Sequence, residues 1–282
     1  VIDAAVHVVD NPDATSDELM QFIPGPDFPT GAIILGRTGI LDAYRTGRGS
    51  IKMRAVCEIE EGKNNSRIIV SELPYQTAVE TIERKIAELV NAGNLDGVRG
   101  LRNESAKGKT RLVVELKRDA NANVVLNNLY KMTPLQTSFG ANMLALVDGV
   151  PRLLNISQML SAYVNHQYEV ITRRTQYRLQ KALDRSHIVE GLLKALDMLD
   201  EVIRVIRASQ DVEEARIALR AAPFDFSDIQ SNHILDMPLR RLTGLERQKL
   251  IDEFALLAET IKGLKEILEN ESKLKLVVKE EI

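Results

Sequence analysis

Apolar and polar residues alternate along several short stretches of the first 150 residues. Ile51, Met53 and Ala55 alternate with Lys52 and Arg54, which is the period of a half-buried strand. Short β-branched runs at 67–73 (RIIVSEL) and 111–117 (RLVVELK) predict two more strands. A further strand is expected at 143–149 (MLALVDG), closed at 149–151. The Asn64-Asn65 pair suits a hairpin turn between two of these strands.

Two stretches of the same region change to the helical period. Val79, Ile82, Ile86 and Leu89 fall on one helical face, and Gly93 supplies a C-terminal stop. A shorter helix is expected at 123–131, ending before the proline at 134. Because the strands cluster and the helices interrupt them without strict alternation, the predicted fold class of this first half of the chain is α+β.

After residue 151 the strand pattern ends, and apolar residues recur every three or four positions. From Ser157, the expected N-cap, to Ser209 there is no proline and one glycine. The apolar seam of this stretch is formed by Ile188, Leu192, Ala195, Leu196, Leu199, Ile203 and Ile206, and a similar seam downstream by Leu256, Leu257, Ile261, Leu264, Ile267 and Leu268. We therefore predict outgoing helices at 151–209, broken near 185–187, and a returning helix at 247–282, packed as a long antiparallel coiled-coil arm.

A small helical domain is predicted between the two seams, at 210–246. It has little core of its own, so its apolar residues need a covering surface, and two-fold self-pairing is the commonest solution for soluble proteins. An internal cap on the arm is the alternative. The residues assigned to a dimer interface are Ile234, Leu235, Met237, Leu239 and Leu242.

Composition restricts the chemistry. A single cysteine, Cys57, excludes an internal disulfide, the four histidines are scattered, and no metal-binding motif or catalytic grouping is found. No apolar run approaches the roughly 18 residues that span a bilayer, so we expect a cytoplasmic protein without a membrane partner. The net charge of −3 means that a nucleic-acid interface would have to gather its cations locally.

One local cluster of cations follows a proline-rich segment at 22–29. The cluster outnumbers its single acid, Asp42, and consists of Arg37, Arg45, Arg48, Lys52 and Arg54. Four glycines within it, at 36, 39, 47 and 49, allow tight turns close to another molecule. Phosphate contact is one interpretation, and a solvated turn with ordinary surface charge is the other.

Two other basic features are weaker. The run SAKGKT at 105–110 lacks the first glycine of a phosphate-binding loop, so a charged hairpin turn is the better interpretation. The second is a helical group formed by Arg173, Arg174, Arg178, Lys181 and Arg185, for which a solvated helix face is favoured over a binding role.

Seven blocks spread through the chain resemble the A subunits of bacterial type IIA DNA topoisomerases, with DNA gyrase favoured and topoisomerase IV the alternative. They are IPGPDFPTGAII, AYRTGRG, IIVSELPYQ, VVLNNLYKMTPLQTSFGANMLALVDGVPRLLN, VITRRTQYRL, RSHIVEGL and ILDMPLRRLTGLE. Proline at 238 is a departure from the usual pattern of the last block.

The resemblance implies a tower domain at 22–150, a coiled-coil arm, an exit-gate dimer interface, and at 1–21 the tail of a winged-helix domain. The implied partners are duplex DNA, a second copy and the gyrase B subunit. The family's catalytic tyrosine follows an arginine in an R-Y-T or R-Y-S block, which the chain lacks, while Mg and ATP belong to the B subunit. The chain by itself is therefore expected to be inactive, and a non-enzymatic DNA-binding coiled-coil scaffold is the alternative class.

Overall fold

The computed structural model describes residues 1–62, 66–238 and 243–282. The chain forms two compact units, residues 1–163 and 164–282. The proposed Asn64-Asn65 turn lies outside the described residues. The finer domain boundaries at 21, 150, 209 and 246 stay predictions.

The first unit combines short helices with antiparallel sheets. Its helices are α1 (Ile2–Asp10), α2 (Ser16–Leu19), α3 (Thr38–Thr46), α4 (Val79–Asn91) and α5 (Ala122–Met132). Its strands are β1 (Ile33–Ile34), β2 (Arg48–Arg54), β3 (Val56–Glu60), β4 (Arg67–Glu72), β5 (Val98–Asn103), β6 (Leu112–Leu116), β7 (Gln136–Asn142), β8 (Leu144–Val147) and β9 (Val150–Leu153). Every strand pair among the described residues is antiparallel, which confirms the α+β class.

The main core of this unit lies on a four-stranded sheet of order β3-β4-β6-β5. Ile68 and Val114 of its central strands are buried together with Ile82 of α4 and Leu129 of α5. The two predicted helices are therefore confirmed, and Gly93 follows α4 with φ +73°, as a C-terminal stop requires. The 105–110 run forms the hairpin turn between β5 and β6, with Ala106 bridged to Lys109.

A second sheet, of order β1-β2-β7, carries helix α3 against one face. Ile40, Ala43 and Tyr44 are the buried residues of α3, and Gly47 ends it in the left-handed conformation that favours glycine. The sequence interpretation placed only turns here, so this helix is a correction. The i, i+3, i+4 spacing of those three buried residues was the available signal.

A two-stranded ribbon, β8-β9, extends from the end of β7. Leu144 pairs with Leu153 and Leu146 with Pro151, and the turn at 148–149 has two positive φ angles, +54° and +76°. The predicted strand at 143–149 is confirmed. The prediction that it closes at 149–151 is corrected, because Pro151 lies within the second strand of the ribbon rather than after it.

Helix α6 (Ile156–Asp197) begins in the first unit and continues into the second. Its N-cap is Asn155, not Ser157: the Asn155 side chain accepts a hydrogen bond from the Gln158 N–H at 2.8 Å, and the Gln158 side chain accepts one from the Asn155 N–H. The Ser157 hydroxyl instead donates to the carbonyl of Ala14 at 2.7 Å.

The second unit is entirely helical in its described residues. It contains the rest of α6 and α7 (Leu199–Ala208), α8 (Val212–Arg220), α9 (Asp228–Leu235), α10 (Gly244–Glu269) and α11 (Glu271–Glu281). The outgoing helix is continuous through 185–187 and breaks at Met198, so the predicted position of the break is wrong. The Arg185 side chain binds Glu253 of α10, and the His187 side chain binds Ser227 at the N-cap of α9. These two contacts hold this stretch in place.

The core of the second unit joins α6, α7 and α10 to the small helices. Its buried members are Val189, Leu192, Ala195, Val202, Leu219, Phe224, Phe226, Ile234 and Leu250. The buried line along α6 and α7 thus passes through 189 and 202, with Leu199 and Ile203 only half-buried beside it. Arg185 binds Glu253 while Asp197 binds Arg247, so α6 and α10 run antiparallel at these two points. The predicted returning helix is interrupted at Asn270, whose side chain caps α11.

Candidate nucleic-acid interface

The outer face of strand β2 carries most of the predicted DNA-binding cations. Ile51 and Met53 are buried, so the alternation of a strand turns Arg48, Lys52 and Arg54 to the opposite face. Their partners across the ladder on β7 are Asn142, Ser138 and Gln136. The face is therefore polar. Its middle carries little side-chain volume, because Ser50 lies opposite Gly140 there.

Arg48 and Lys52 are the free cations of this face. Both are exposed, and neither forms an ion pair within the part of the chain that the structure describes. Four residues of strand separate them by about 13 Å at 3.3 Å per residue. Two unpaired positive charges at this spacing can contact separate groups of one polyanion.

Arg54 is held by its neighbours. Its guanidinium donates from Nε and Nη2 to Gln136 Oε1 at 2.8 and 2.6 Å, and it lies 4.4 Å from the ring centroid of Tyr130. Burial raises the pKa of Tyr130 above its ordinary value, so the phenol stays neutral at physiological pH. The ring therefore offers Arg54 a cation–π contact without a negative charge.

Arg45 has a carboxylate partner and Arg37 does not. Arg45 forms a bidentate ion pair with Asp17: Nε donates to Oδ1 at 2.8 Å and Nη2 donates to Oδ2 at 2.9 Å. Hydrogen bonding to Arg45 lowers the pKa of Asp17. Arg37 is exposed at the N-cap of α3 and, among the described residues, has no ion pair. The structure thus places all five predicted residues around α3 and β2, and Arg37, Arg48 and Lys52 are the three that have no side-chain partner among residues 1–62, 66–238 and 243–282.

The glycines of this segment serve the protein's own packing. A Cβ on Gly39 would lie 2.0 Å from the carbonyl oxygen of Ser50, and one on Gly49 would lie 2.2 Å from that of Gly39. Close approach was predicted for another molecule, and at these two positions the close approach is that of α3 to β2. A Cβ on Gly36 would have no atom within 4 Å.

The comparisons with known proteins agree on one family. The family model for the A subunit of DNA gyrase/topoisomerase IV matches residues 1–282. The DNA gyrase A subunit of Halalkalibacterium halodurans is 54% identical over 282 residues, which is 100% of this chain and 34% of that protein. The gyrase A subunits of Mycolicibacterium smegmatis and a Synechocystis species are 52% and 50% identical, over 96% and 100% of the chain and 32% and 33% of their own lengths.

The chain belongs to the family of DNA gyrase/topoisomerase IV A subunits. The resemblance drawn from the seven sequence blocks is confirmed. The chain spans about a third of the length of the curated relatives it matches. Within the described residues, no helix combines the length and the apolar character that crossing a bilayer requires.

Two tyrosines, Tyr44 and Tyr130, are packed into the first unit. Tyr44 is 6% exposed on α3, and burial raises its pKa. Tyr130 packs beneath Arg54. Because a raised pKa disfavours the phenolate, both environments suit structural roles. The described residues contain no group of three His, Cys, Asp or Glu side chains placed to hold a metal ion.

The proposed dimer residues differ in exposure. Ile234 is 4% exposed within the chain's own core, and Leu235 and Met237 pack partly against the same core. Leu239 and Leu242 lie outside the described residues. Helix α9 ends at Leu235, three residues before Pro238. Ile229 of α9 is 56% exposed, an outward apolar position within the same predicted helical domain.

The second basic group, on α6, is largely neutralised within the protein. Arg173 pairs with Glu169, Arg174 with Glu281 and Arg185 with Glu253. The nitrogen of Lys181 lies 4.9 Å from the ring centroid of Tyr177. These contacts favour the interpretation of this group as an ordinary charged helix face, and we assign no DNA contact to it.

Proposed function

We propose that the chain is the DNA-gate and exit-gate scaffold of a type IIA DNA topoisomerase, with DNA gyrase favoured over topoisomerase IV. In this role it contacts the gate duplex, forms a dimer, and works with a gyrase B subunit that supplies ATP and Mg chemistry. The family match supports the enzyme class, and the names of the relatives at 50–54% identity favour gyrase.

The observation that carries the DNA contact is the outer face of β2. Arg48 and Lys52 are exposed and unpaired among the described residues, in a chain whose net charge is −3. A phosphate backbone is attracted by such local cations, since each contact releases a condensed counterion. Arg37 would add a third contact. Arg45 would contribute less, because Asp17 already pairs with its charge, whereas Arg54 would contribute from a fixed position, because its partners are neutral.

The dimer proposal depends on α9 and the segment after it. Because Ile234 lies in the chain's own core, its part would be to position Leu235 and Met237 at the surface. A self-associating arm tip predicts a monomer–dimer equilibrium. Sedimentation over a dilution series should show the dimer mass at high concentration, and a constant monomer mass would refute this part of the proposal.

The chain by itself is proposed to cleave no DNA, because it lacks the family's R-Y-T or R-Y-S block. A chain extended to include that block should supercoil DNA when it is mixed with ATP and a B subunit, and the 282 residues alone should not. Cleavage by this chain alone would contradict the proposal.

The deciding experiment on the DNA contact is Arg48→Gln with Lys52→Gln in a full-length A subunit that contains this chain. Duplex binding is measured at several salt concentrations. Removing two phosphate contacts should weaken binding and reduce the salt slope by about 1.8, at about 0.9 per contact. The matched control is Arg204→Gln with Arg207→Gln on α7, two exposed cations whose removal changes the charge equally. An unchanged slope in the test variant would refute the assignment.

A further inference from the structure

A cleft of about 450 Å³ opens between the outer face of α4 and the end of α5. Thr81, Arg84, Lys85 and Glu88 line one wall, because the spacing i, i+3, i+4, i+7 places them on one stripe of the helix. The other wall is formed by Lys131 to Pro134, and by Gln136 and Thr137 of β7. The opposite stripe of α4, with Ile82 and Ile86, is buried in the core.

The cleft carries a surplus of positive charge. It holds three cations and one carboxylate, and that carboxylate, Glu88, lies 3.8 Å from Lys85. Arg84 and Lys131 are exposed, and in the described part of the chain neither has an ion-pair partner. The C-terminal end of α5 contributes roughly half a negative charge. One of its carbonyls, that of Leu129, is already bonded by the amide and hydroxyl of Thr133, so the surplus of two positive charges decides the sign.

The cleft and the outer face of β2 meet at one residue, Gln136. Gln136 lines the cleft and also binds Arg54, and Ser138, two residues further along β7, lies opposite Lys52. A ligand that follows Arg48 and Lys52 along the strand therefore reaches the cleft at Gln136. Thr81 also lines the cleft, and its hydroxyl is of the kind that, with Arg and Lys, contacts backbone phosphates.

We propose that this cleft is a second phosphate-binding site, with Arg84 and Lys131 as its cations, that lengthens the duplex contact beyond the outer face of β2. The inference rests on the proposed function, because it requires that duplex DNA lies along β2. An acidic segment of a protein partner could satisfy the same charges. We favour DNA because the cleft and the strand face meet at Gln136, and a polyanion with regularly repeated charge can occupy both.

The test compares three variants in a full-length A subunit that contains this chain. Arg84→Gln with Lys131→Gln removes the two charges. Arg84→Lys with Lys131→Arg keeps the charges and changes the side chains. Arg48→Gln with Lys52→Gln reports on the strand face. Binding of a long DNA duplex is measured across a salt series, and assembly with the B subunit is measured separately.

The neutral cleft variant should bind the duplex more weakly for all sequences and lose about 1.8 from the salt slope, whereas the charge-keeping variant should retain the wild-type slope. If the strand variant loses slope and the neutral cleft variant does not, the cleft proposal is overturned and the proposed function stands. If neither variant loses slope, the cleft proposal and the proposed function both fail.

A loss of assembly with the B subunit, together with an unchanged slope, would assign the cleft to an acidic protein partner and overturn the proposal. A lost slope in the charge-keeping variant would show a structural defect and also overturn it.

Discussion

Gly39 and Gly49 face each other where helix α3 meets strand β2. A Cβ on Gly49 would lie 2.2 Å from the Gly39 carbonyl oxygen and 2.7 Å from the amide nitrogen of Ala43. These are backbone atoms, which cannot turn aside as a side chain can. The contact therefore fixes the distance between the α3 residues and the outer-face cations of β2.

Gly49→Ala should destabilise the first unit by about 1–3 kcal/mol, the range for overpacking a tight contact. Thermal unfolding of the chain measures the change. Gly140→Ala is the matched control on the neighbouring strand β7, because nothing lies within 4 Å of its Cβ position. Equal effects of the two substitutions would show that the α3–β2 contact is not tight.

Gly263→Ala should stabilise the protein. Gly263 lies inside α10, it is exposed, and no atom is within 4 Å of a Cβ placed there. Glycine in a helix interior is about 1 kcal/mol less favourable than alanine. The midpoint of urea-induced unfolding should rise accordingly, and a fall in the midpoint would show that α10 needs the freedom of glycine at this position.

Gly191→Ala should destabilise the protein, although Gly191 also lies inside a helix. A Cβ there would lie 2.5 Å from Cγ and 2.9 Å from Cβ of Gln230, and Gln230 is fixed by a 2.8 Å bond to the carbonyl of His187. Displacing Gln230 would break that bond, so we expect a loss of about 1–3 kcal/mol. The double variant Gly191→Ala/Gln230→Ala should recover part of the loss, and no recovery would place the cause elsewhere.

Asp17 holds Arg45 by an ion pair, so at the proposed DNA interface it would compete with phosphate for this cation. Asp17→Asn removes the charge that holds the guanidinium, so Arg45 should become available to DNA, and the salt slope of duplex binding should steepen by up to about 0.9. Asp17→Asn/Arg45→Gln is the control, since it lacks the released cation. A steeper slope in that double variant as well would show that Arg45 is not responsible.

The same ion pair predicts a pH dependence. The Arg45 hydrogen bond lowers the pKa of Asp17 in the folded protein, so the carboxylate form is favoured by folding. The associated stability is present above the unfolded pKa of about 3.9 and is lost as the pH falls through the folded pKa. Both side chains are exposed, so the contribution is small. Carboxyl NMR shifts should show the pKa of Asp17 rising in Arg45→Gln, and an unchanged pKa would contradict the assignment.

The sequence predicted elements where local pattern and packing agree. Helix α4 has an apolar stripe and a following glycine, and both act as expected. Ser157 shows the limit of that reasoning, because a serine near a helix start caps it only if no better acceptor is present. Here Asn155 is the cap, and the Ser157 hydroxyl binds Ala14, 143 residues earlier in the chain. A rule that considers only neighbouring residues cannot predict a contact between positions so far apart in the sequence.

The candidate DNA-binding cations were predicted from composition, which could not show which of them are already paired. Five cations in one segment identified the region around α3 and β2. Which of them are free depends on Asp17, 28 residues from Arg45, and on Gln136, 82 residues from Arg54. These partners come from tertiary pairing. The cations of the cleft, Arg84 and Lys131, were missed because they are 47 positions apart in sequence and meet only through the packing of α4 and α5 on one sheet.

Arg54 differs from its exposed neighbours in being immobilised before any ligand arrives. A free arginine side chain forfeits up to about 2 kcal/mol of rotamer entropy when it is ordered, whereas Gln136 and the Tyr130 ring already restrict this one. Such preorganisation reduces the entropic cost of binding a ligand, and it does not slow the encounter with that ligand. Lys52 would therefore act as the long-reach, adaptable contact, and Arg54 as a rigid reference point that sets the register of whatever lies along the strand.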